Sequence, residues 1–256
     1  MIMNNRIFIR TDANQKIASG HIMRCLTIAN ALKEENIDVV FLVSDEASAS
    51  YADSEEFKVE VLNSDWSNID PEISQIKAVF ESYECKNPLI LVDTYSITSN
   101  YVHELSKIAR IWYLGIKKDS IDGVKAIINY DIAVHADQYN RFIPETHLYL
   151  GPKYAPLRPD FYKSNFQLKN SVSRILIMSG ATDPFDTKTK ILQRCLKEEY
   201  LSRIEYIVLI GKMSKISPGL SVISKKFSNV AVEESTDDIA SLMSGCDIAI
   251  SACGTT

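Results

Sequence analysis

Short runs rich in Ile and Val recur along this chain: "RIFIR" (6–10), "IDVVFLVS" (37–44), "VEVL" (59–62), "PLILVD" (88–93), "RIWYLGI" (110–116) and "KAIINYDI" (125–132). Longer stretches between them return their apolar residues every three or four positions. Continuous apolar runs are what parallel strands covered on both faces require, and the intervening period is that of helices packed on such a sheet. The alternation restricts the chain to the α/β class, because neighbouring parallel strands need a crossover helix. Between the first two runs, Ile22, Cys25, Leu26, Ala29 and Leu32 form one helical stripe, and the spacing predicts a helix that starts near His21.

The rhythm breaks at "GPKYAPLRPDFYKSNFQLKNSVS", where Pro152, Pro156 and Pro159 with polar neighbours interrupt regular structure. A lobe boundary is placed near residue 165, dividing the chain into 1–165 and 166–256. Beyond it "RILIMSG", "PFDTKTKILQRCLKEEYL", "IEYIVLIG", "NVAVEE", "TDDIASLMSGC" and "DIAISACG" repeat the strand and helix alternation. Two Rossmann-like lobes with parallel sheets are expected, with ligands at the carboxyl ends of the strands. The last run reaches Thr256 just where a strand-to-helix turn is prepared, so the second lobe is expected to be truncated.

With 46% hydrophobic residues among 256, the chain has the apolar mass for two such lobes. A net charge of −5 and a pI near 5.5 give no general attraction for nucleic acid or anionic membrane, so neither is expected as a partner. Five cysteines, at 25, 85, 195, 246 and 253, show no C-x-x-C pair and no zinc-like spacing, so reduced thiols and no metal are expected. The N-terminus lacks the pattern of a secretory signal, and no apolar run approaches the ~20 residues that span a bilayer. A cytoplasmic protein is the expectation.

Chemistry concentrates in "RTDANQKIASGHIMRC" (10–25). The first strand is read to end near Asp12, with Ser19 capping the next helix and Gly20 letting a ligand approach the backbone. His21 then falls in the first helical turn, at the mouth of a cleft. The positive end of the helix and Arg24, three residues on, both disfavour imidazolium there, so His21 is expected to be neutral and able to take a proton from water. The alternative is a histidine bonded to a loop carbonyl. Asp93 and Tyr95 emerge beside Asp12 at a strand's carboxyl end, as sugar or histidine contacts or, for the carboxylates, as helix caps or loop ligands. His103, His135 and His147 have no glycine-rich neighbours, and none reads as catalytic. Arg158 reads as a residue pinning the interlobe segment.

The segment "RTDANQKIASGHIMRCLTIANAL" (10–32) resembles the first motif of the PseG/SpsG-like UDP-sugar hydrolases, the UDP-2,4-diacetamido-2,4,6-trideoxy-β-L-altropyranose hydrolases of pseudaminic acid synthesis. In order, "LVDTY" (91–95), "LGPKYAPLRPDF" (150–161), "MSGATDP" (178–184) and "DIAISACGTT" (247–256) are similar to that family's later motifs. The resemblance implies a glycosyltransferase-B-like (GT-B-like) fold, a UDP-sugar held between the lobes, no cofactor, and water as acceptor. It assigns water activation to His21 and gives weight to Tyr95 as a substrate contact, with Asp12, Gly20, Arg24 and Asp93 as further candidates and Asp12 equally readable as structural.

Departure of UDP develops negative charge, which backbone amides or a helix N-terminus would receive. Two segments are candidates. In "MSGATDPFDTK", Ser179 and Gly180 precede Asp183 as N-cap and Pro184 as first helical residue, either as an ordinary capped junction or as a phosphate site. In "SACGTT", Ser251, Gly254, Thr255 and Thr256 offer hydroxyls and amides, with Cys253 where the family shows a glycine. A glycosyltransferase of the same architecture and a non-catalytic nucleotide-sugar-binding paralogue are the competing readings. A dinucleotide oxidoreductase is disfavoured, because "TDANQKIASGH" lacks the three-glycine turn.

Overall fold

A computed structural model describes residues 5–119, 121–142, 145–163, 167, 169–236 and 238–252. The chain divides into two compact units, Met1–Pro156 and Leu157–Thr256. In the first, β1 (Arg6–Arg10), α1 (Gly20–Glu34), β2 (Asp38–Val43), α2 (Glu46–Asp53), β3 (Lys58–Val61), α3 (Ile73–Ser82), β4 (Leu89–Val92), α4 (Ser99–Ser106), β5 (Arg110–Leu114), β6 (Ala126–Asn129) and β7 (His147–Leu150) follow in order. The strands form one seven-stranded parallel sheet in the order β3-β2-β1-β4-β5-β6-β7. Ile9 pairs with Phe41 on one side and Leu91 on the other. Strand order reverses at β1, so the crevice at the carboxyl ends of β1 and β4 is the switch point where ligands of such sheets bind.

Alternation along β1 shows how the sheet is covered. Phe8 packs into a cluster with Ile76 and Phe80 of α3 and Tyr101, Val102 and Leu105 of α4. Its neighbour Ile9 faces the opposite cluster, with Ile22, Cys25, Leu26 and Ala29 of α1 and Ala49 and Ala52 of α2. The predicted α1 stripe is thus the buried face of that helix, with Leu32 packed at its margin. Complete burial of an Ile or Leu side chain stabilises by roughly 1.5–3 kcal/mol, so Ile22 and Leu26 hold α1 on the sheet, with Cys25 and Ala29 adding smaller contacts.

The second unit contains β8 (Arg174–Ile177), α5 (Thr187–Cys195), β9 (Glu205–Ile210), α6 (Pro218–Lys226), β10 (Val230–Glu234), α7 (Ile239–Ser244) and β11 (Ile248–Ile250). Its parallel sheet runs β10-β9-β8-β11, which places a second switch point between β8 and β11. One face carries Leu192 of α5 with Leu220 and Ile223 of α6. The other carries Ile239 of α7 with Leu176, Met178 and the partly buried Phe161.

Two local expectations are corrected. "HLYL", not among the strand runs read from the sequence, forms the edge strand β7. The helix expected from Pro184 begins at Thr187, because Asp186 takes the left-handed conformation (φ 49°) and its side chain makes no cap bond. Asp183 still serves the helix from outside, accepting from the N–H groups of Thr187 at 2.9 Å and Lys188 at 3.2 Å.

Candidate active site

The loop after β1 returns the chain to the sheet at Gly20, and the first turn of α1 sets His21 beside Asp93, the residue that follows β4. His21 Nδ1 lies 2.5 Å from Asp93 Oδ1. Arg24, one turn along α1, donates from Nε to Asp93 Oδ2 at 2.6 Å and from Nη2 to Oδ1. Its Nη1 donates to the Tyr130 hydroxyl at 2.5 Å, and the Cys25 thiol lies 3.4 Å from Asp93 Oδ2. Asp93 is completely buried. Burial pushes its carboxyl up, but the hydrogen bonds and charge of Arg24, then the His21 contact, outweigh this and hold it below the usual carboxylate value. Burial and the adjacent Asp93 charge push the Cys25 thiol well up, so it stays a thiol.

A carboxylate 2.5 Å from Nδ1 requires a hydrogen between them, since two lone pairs at that distance repel. Nδ1 therefore donates to Asp93, and in the neutral ring Nε2 is then the acceptor. Among the described residues Nε2 is buried without a hydrogen-bond partner, as are Thr11 Oγ1 and Asn14 Nδ2 on the loop before α1. Buried polar atoms are normally paired, and an orphan in the first helical turn at a switch point marks a place for water or ligand. The ring was expected at the mouth of a cleft; it is instead 4% exposed, beneath Tyr95. The Tyr95 ring stands edge-on to the imidazole at 4.2 Å and is itself 60% exposed.

Other expectations for this loop change. Ser19 makes no side-chain cap bond. The Gly20 position has open space around it among the described residues, which leaves its backbone approachable as expected. Arg24 does not stand as an uncompensated charge beside His21; it is paired with Asp93, and neither is a free substrate contact. Asp12 accepts from Arg10 Nη1 at 2.6 Å and from the Ser44 N–H at 2.7 Å, so both its oxygens hold the loop. Arg10 continues to Glu72 through Nε at 2.6 Å and Nη2 at 2.8 Å, and Glu72 also accepts from Tyr101 and Ser64. Sequence reasoning missed Arg10, Glu72 and Tyr130. Only Tyr130 carried a signal, as the residue just beyond a strand's carboxyl end.

In the second unit, Ser179 and Gly180 follow β8 and Ser251 follows β11, so these predicted residues flank the second switch point. Gly180 uses φ 79°, and a side chain on Gly211 would meet its carbonyl oxygen at 2.1 Å. Ser179 donates to the Thr182 carbonyl and accepts from Lys188 Nζ at 2.8 Å. Burial raises the Asp183 carboxyl, but the amides of Thr187 and Lys188 and the Lys188 charge prevail and hold it low. The start of α5 thus already holds a carboxylate. Ser251 is exposed, while Gly254, Thr255 and Thr256 lie outside the described residues. A cavity of about 270 Å³ opens at the ends of β9 and β10, lined by Gly211, Lys212, Lys215, Glu234 and Ser235 among others. No described helix is long and apolar enough to cross a membrane.

No protein-family model matches the chain. An uncharacterized protein of Methanocaldococcus jannaschii is 25% identical over 265 residues, covering 98% of this chain and 52% of that protein. The chain therefore spans about half the length of that curated relative. Among solved structures, a glycosyltransferase from Rickettsia africae ESF-5 matches with a TM-score of 0.64 at 15% identity, over 96% of this chain and 72% of the other. UGT2 of Phytolacca americana, complexed with UDP-2fluoro-glucose and pterostilbene, matches at 0.62 and 10% identity, over 97% and 76%. The UDP-GlcNAc 2-epimerase of Neisseria meningitidis bound to UDP-GlcNAc matches at 0.58 and 14%, over 96% and 76%. These likenesses establish the fold, two Rossmann-like units of the GT-B type.

Proposed function

We propose that the protein hydrolyses a UDP-linked sugar, a diacetamido-trideoxy sugar of the kind used in pseudaminic acid synthesis, with His21 as general base. Nε2 takes a proton from water while the water oxygen attacks the anomeric carbon. The bond from that carbon to the diphosphate oxygen breaks, and UDP leaves with the electron pair. The observation that carries the reading is the His21–Asp93 contact at the switch point of the first sheet, which leaves Nε2 as an unpartnered acceptor. Tyr95, exposed above the ring, turns aside on its own side-chain torsions to admit the substrate, and the open space at Gly20 receives it against the backbone. Within the second unit, Ser179 and Gly180 after β8 and Ser251 after β11 are the described residues assigned to the nucleotide.

Fold likeness to proteins whose structures hold UDP-sugars supports the substrate class, and the ordered sequence motifs support water as acceptor. The likeness to a glycosyltransferase favours one second reading, transfer to a sugar or other hydroxyl through the same base. Incubation with UDP-sugars in water, following UDP and free sugar, separates the two: hydrolysis releases both without an acceptor. A His21→Gln variant is expected to lose on the order of 10²–10⁴-fold in turnover, the usual contribution of a positioned base. Undiminished turnover by that variant removes His21 from the chemistry.

A further inference from the structure

We propose that Arg24 and Tyr130 form a clamp that locks Asp93 and thereby fixes both the tautomer and the orientation of the His21 ring. This rests on the reading of His21 as a base, and it makes Arg24 and Tyr130 positioning residues. Arg24 holds both oxygens of one carboxylate, Nε on Oδ2 at 2.6 Å and Nη2 on Oδ1, which removes the rotation a singly bonded carboxylate keeps. With the carboxylate plane set, Oδ1 has one place to stand, 2.5 Å from His21 Nδ1.

The guanidinium is itself anchored at its far end. Nη1 donates to the Tyr130 hydroxyl at 2.5 Å, and Tyr130 lies just beyond β6, two strands from β4 in the sheet. The clamp therefore ties α1, the end of β4 and the end of β6 to one another. Arg24 Nη2 also lies 3.0 Å from His21 Nδ1. A guanidinium can only donate, so an Nδ1 without hydrogen would accept from it but would set its lone pair against Oδ1. The arrangement is satisfied when the hydrogen sits on Nδ1 and the lone pair on Nε2. Because Arg24 compensates the Asp93 charge, the carboxylate acts on His21 mainly through direction. Lys at position 24 would restore the charge without the two-pronged geometry.

The test uses the full chain labelled with 15N histidine, with His21→Gln to identify the His21 signals. The wild type is expected to show one neutral tautomer, hydrogen on Nδ1 and none on Nε2. Arg24→Lys and Tyr130→Phe are expected to remain folded by circular dichroism and to show mixed tautomers. Their kcat is expected to fall on the order of 10²-fold for Arg24→Lys, a typical result of misplacing a reacting group, with KM within threefold. Tyr130→Phe falls less. Both variants keeping the single Nδ1–H tautomer overturns the clamp, whatever their activity. A wild type that releases no UDP from any UDP-sugar fails the hydrolase reading instead, and the tautomer measurement still decides the clamp. Should Arg24→Lys fail to fold, Tyr130→Phe, which removes one oxygen, carries the test alone.

Discussion

Two arginine and carboxylate clusters stand at the carboxyl edge of the first sheet, and they differ in one respect. Around Arg10, fully buried with Glu72 and nearly so with Asp12, the carboxylate oxygens all find donors in Arg10, Ser44, Ser64 and Tyr101. Around Arg24, the carboxylate of Asp93 is equally well held, but the imidazole joined to it keeps one nitrogen unpartnered. A closed polar cluster fixes the ends of β1, β2 and α4 and offers nothing to a ligand. An open one fixes the same kind of edge and leaves an acceptor for chemistry. The second unit sides with the closed case, since Ser179 and Asp183 are engaged by their own loop and by Lys188.

The largest break in this comparison comes from Arg10→Met. It leaves Asp12 and Glu72 buried without their cation, and breaking a buried pair this way costs about 3–5 kcal/mol. The midpoint of urea unfolding should fall accordingly. A loss below about 1 kcal/mol, less than a typical hydrogen bond to a charged group contributes, would mean the cluster is not closed as described.

Asp93→Asn tests the open cluster. Arg24 retains some access to solvent, so the stability loss should be smaller, about 1–3 kcal/mol, while turnover falls on the order of 10²-fold or more. The pH dependence gives the sign. The folded-state carboxyl of Asp93 lies below its ordinary value, so its contribution is present above about pH 4, where the unfolded carboxyl is ionised, and is lost as pH falls through the folded value. Urea midpoints of wild type and variant should therefore converge as the solution is acidified below about pH 4. Curves that stay parallel there would show that Asp93 does not make this contribution.

A smaller effect is expected from Tyr95→Ala. The ring is exposed, so its loss should change stability by no more than about 1 kcal/mol. It should, however, uncover Nε2, and modification of His21 by diethylpyrocarbonate should run several-fold faster than in the wild type. An unchanged rate would mean another group covers the nitrogen.

What can be read from the sequence is what is local. The α1 stripe follows from the spacing of Ile22, Cys25, Leu26 and Ala29, and Asp93 is legible as the residue beyond an apolar run. That Asp93 and Tyr95 stand at a strand end within reach of a histidine is legible, but which oxygen meets which ring nitrogen is not, because His21 and Asp93 are 72 positions apart and join only when β4 is laid beside β1. Arg24 and Tyr130, separated by 106 positions, are the same case across two more strands. Glu72 sits in a single 3-10 turn, Asp70–Glu72, too short to carry a period, so nothing marks it as the partner of Arg10. The missing cap at Ser19 has a different cause. Serine is a residue type that favours capping, but here its backbone near φ −99°, ψ 3° leaves the hydroxyl away from the first amides.

The smallest effect on stability, and the finest cut between structure and ligand, comes from Gly20 when it is set against Gly180. Gly180 has φ 79°, so Gly180→Ala should cost about 1–2 kcal/mol with or without substrate. Gly20 sits at the start of α1 with no positive φ and no atom within 4 Å of the place a side-chain carbon would take, so Gly20→Ala should leave the urea midpoint unchanged or raise it slightly. If a substrate nonetheless comes against this backbone, the added methyl meets it, and KM for the UDP-sugar should rise at least severalfold in a protein of undiminished stability. A Gly20→Ala protein with wild-type stability and wild-type KM would place the substrate away from the amino end of α1, and with it away from His21.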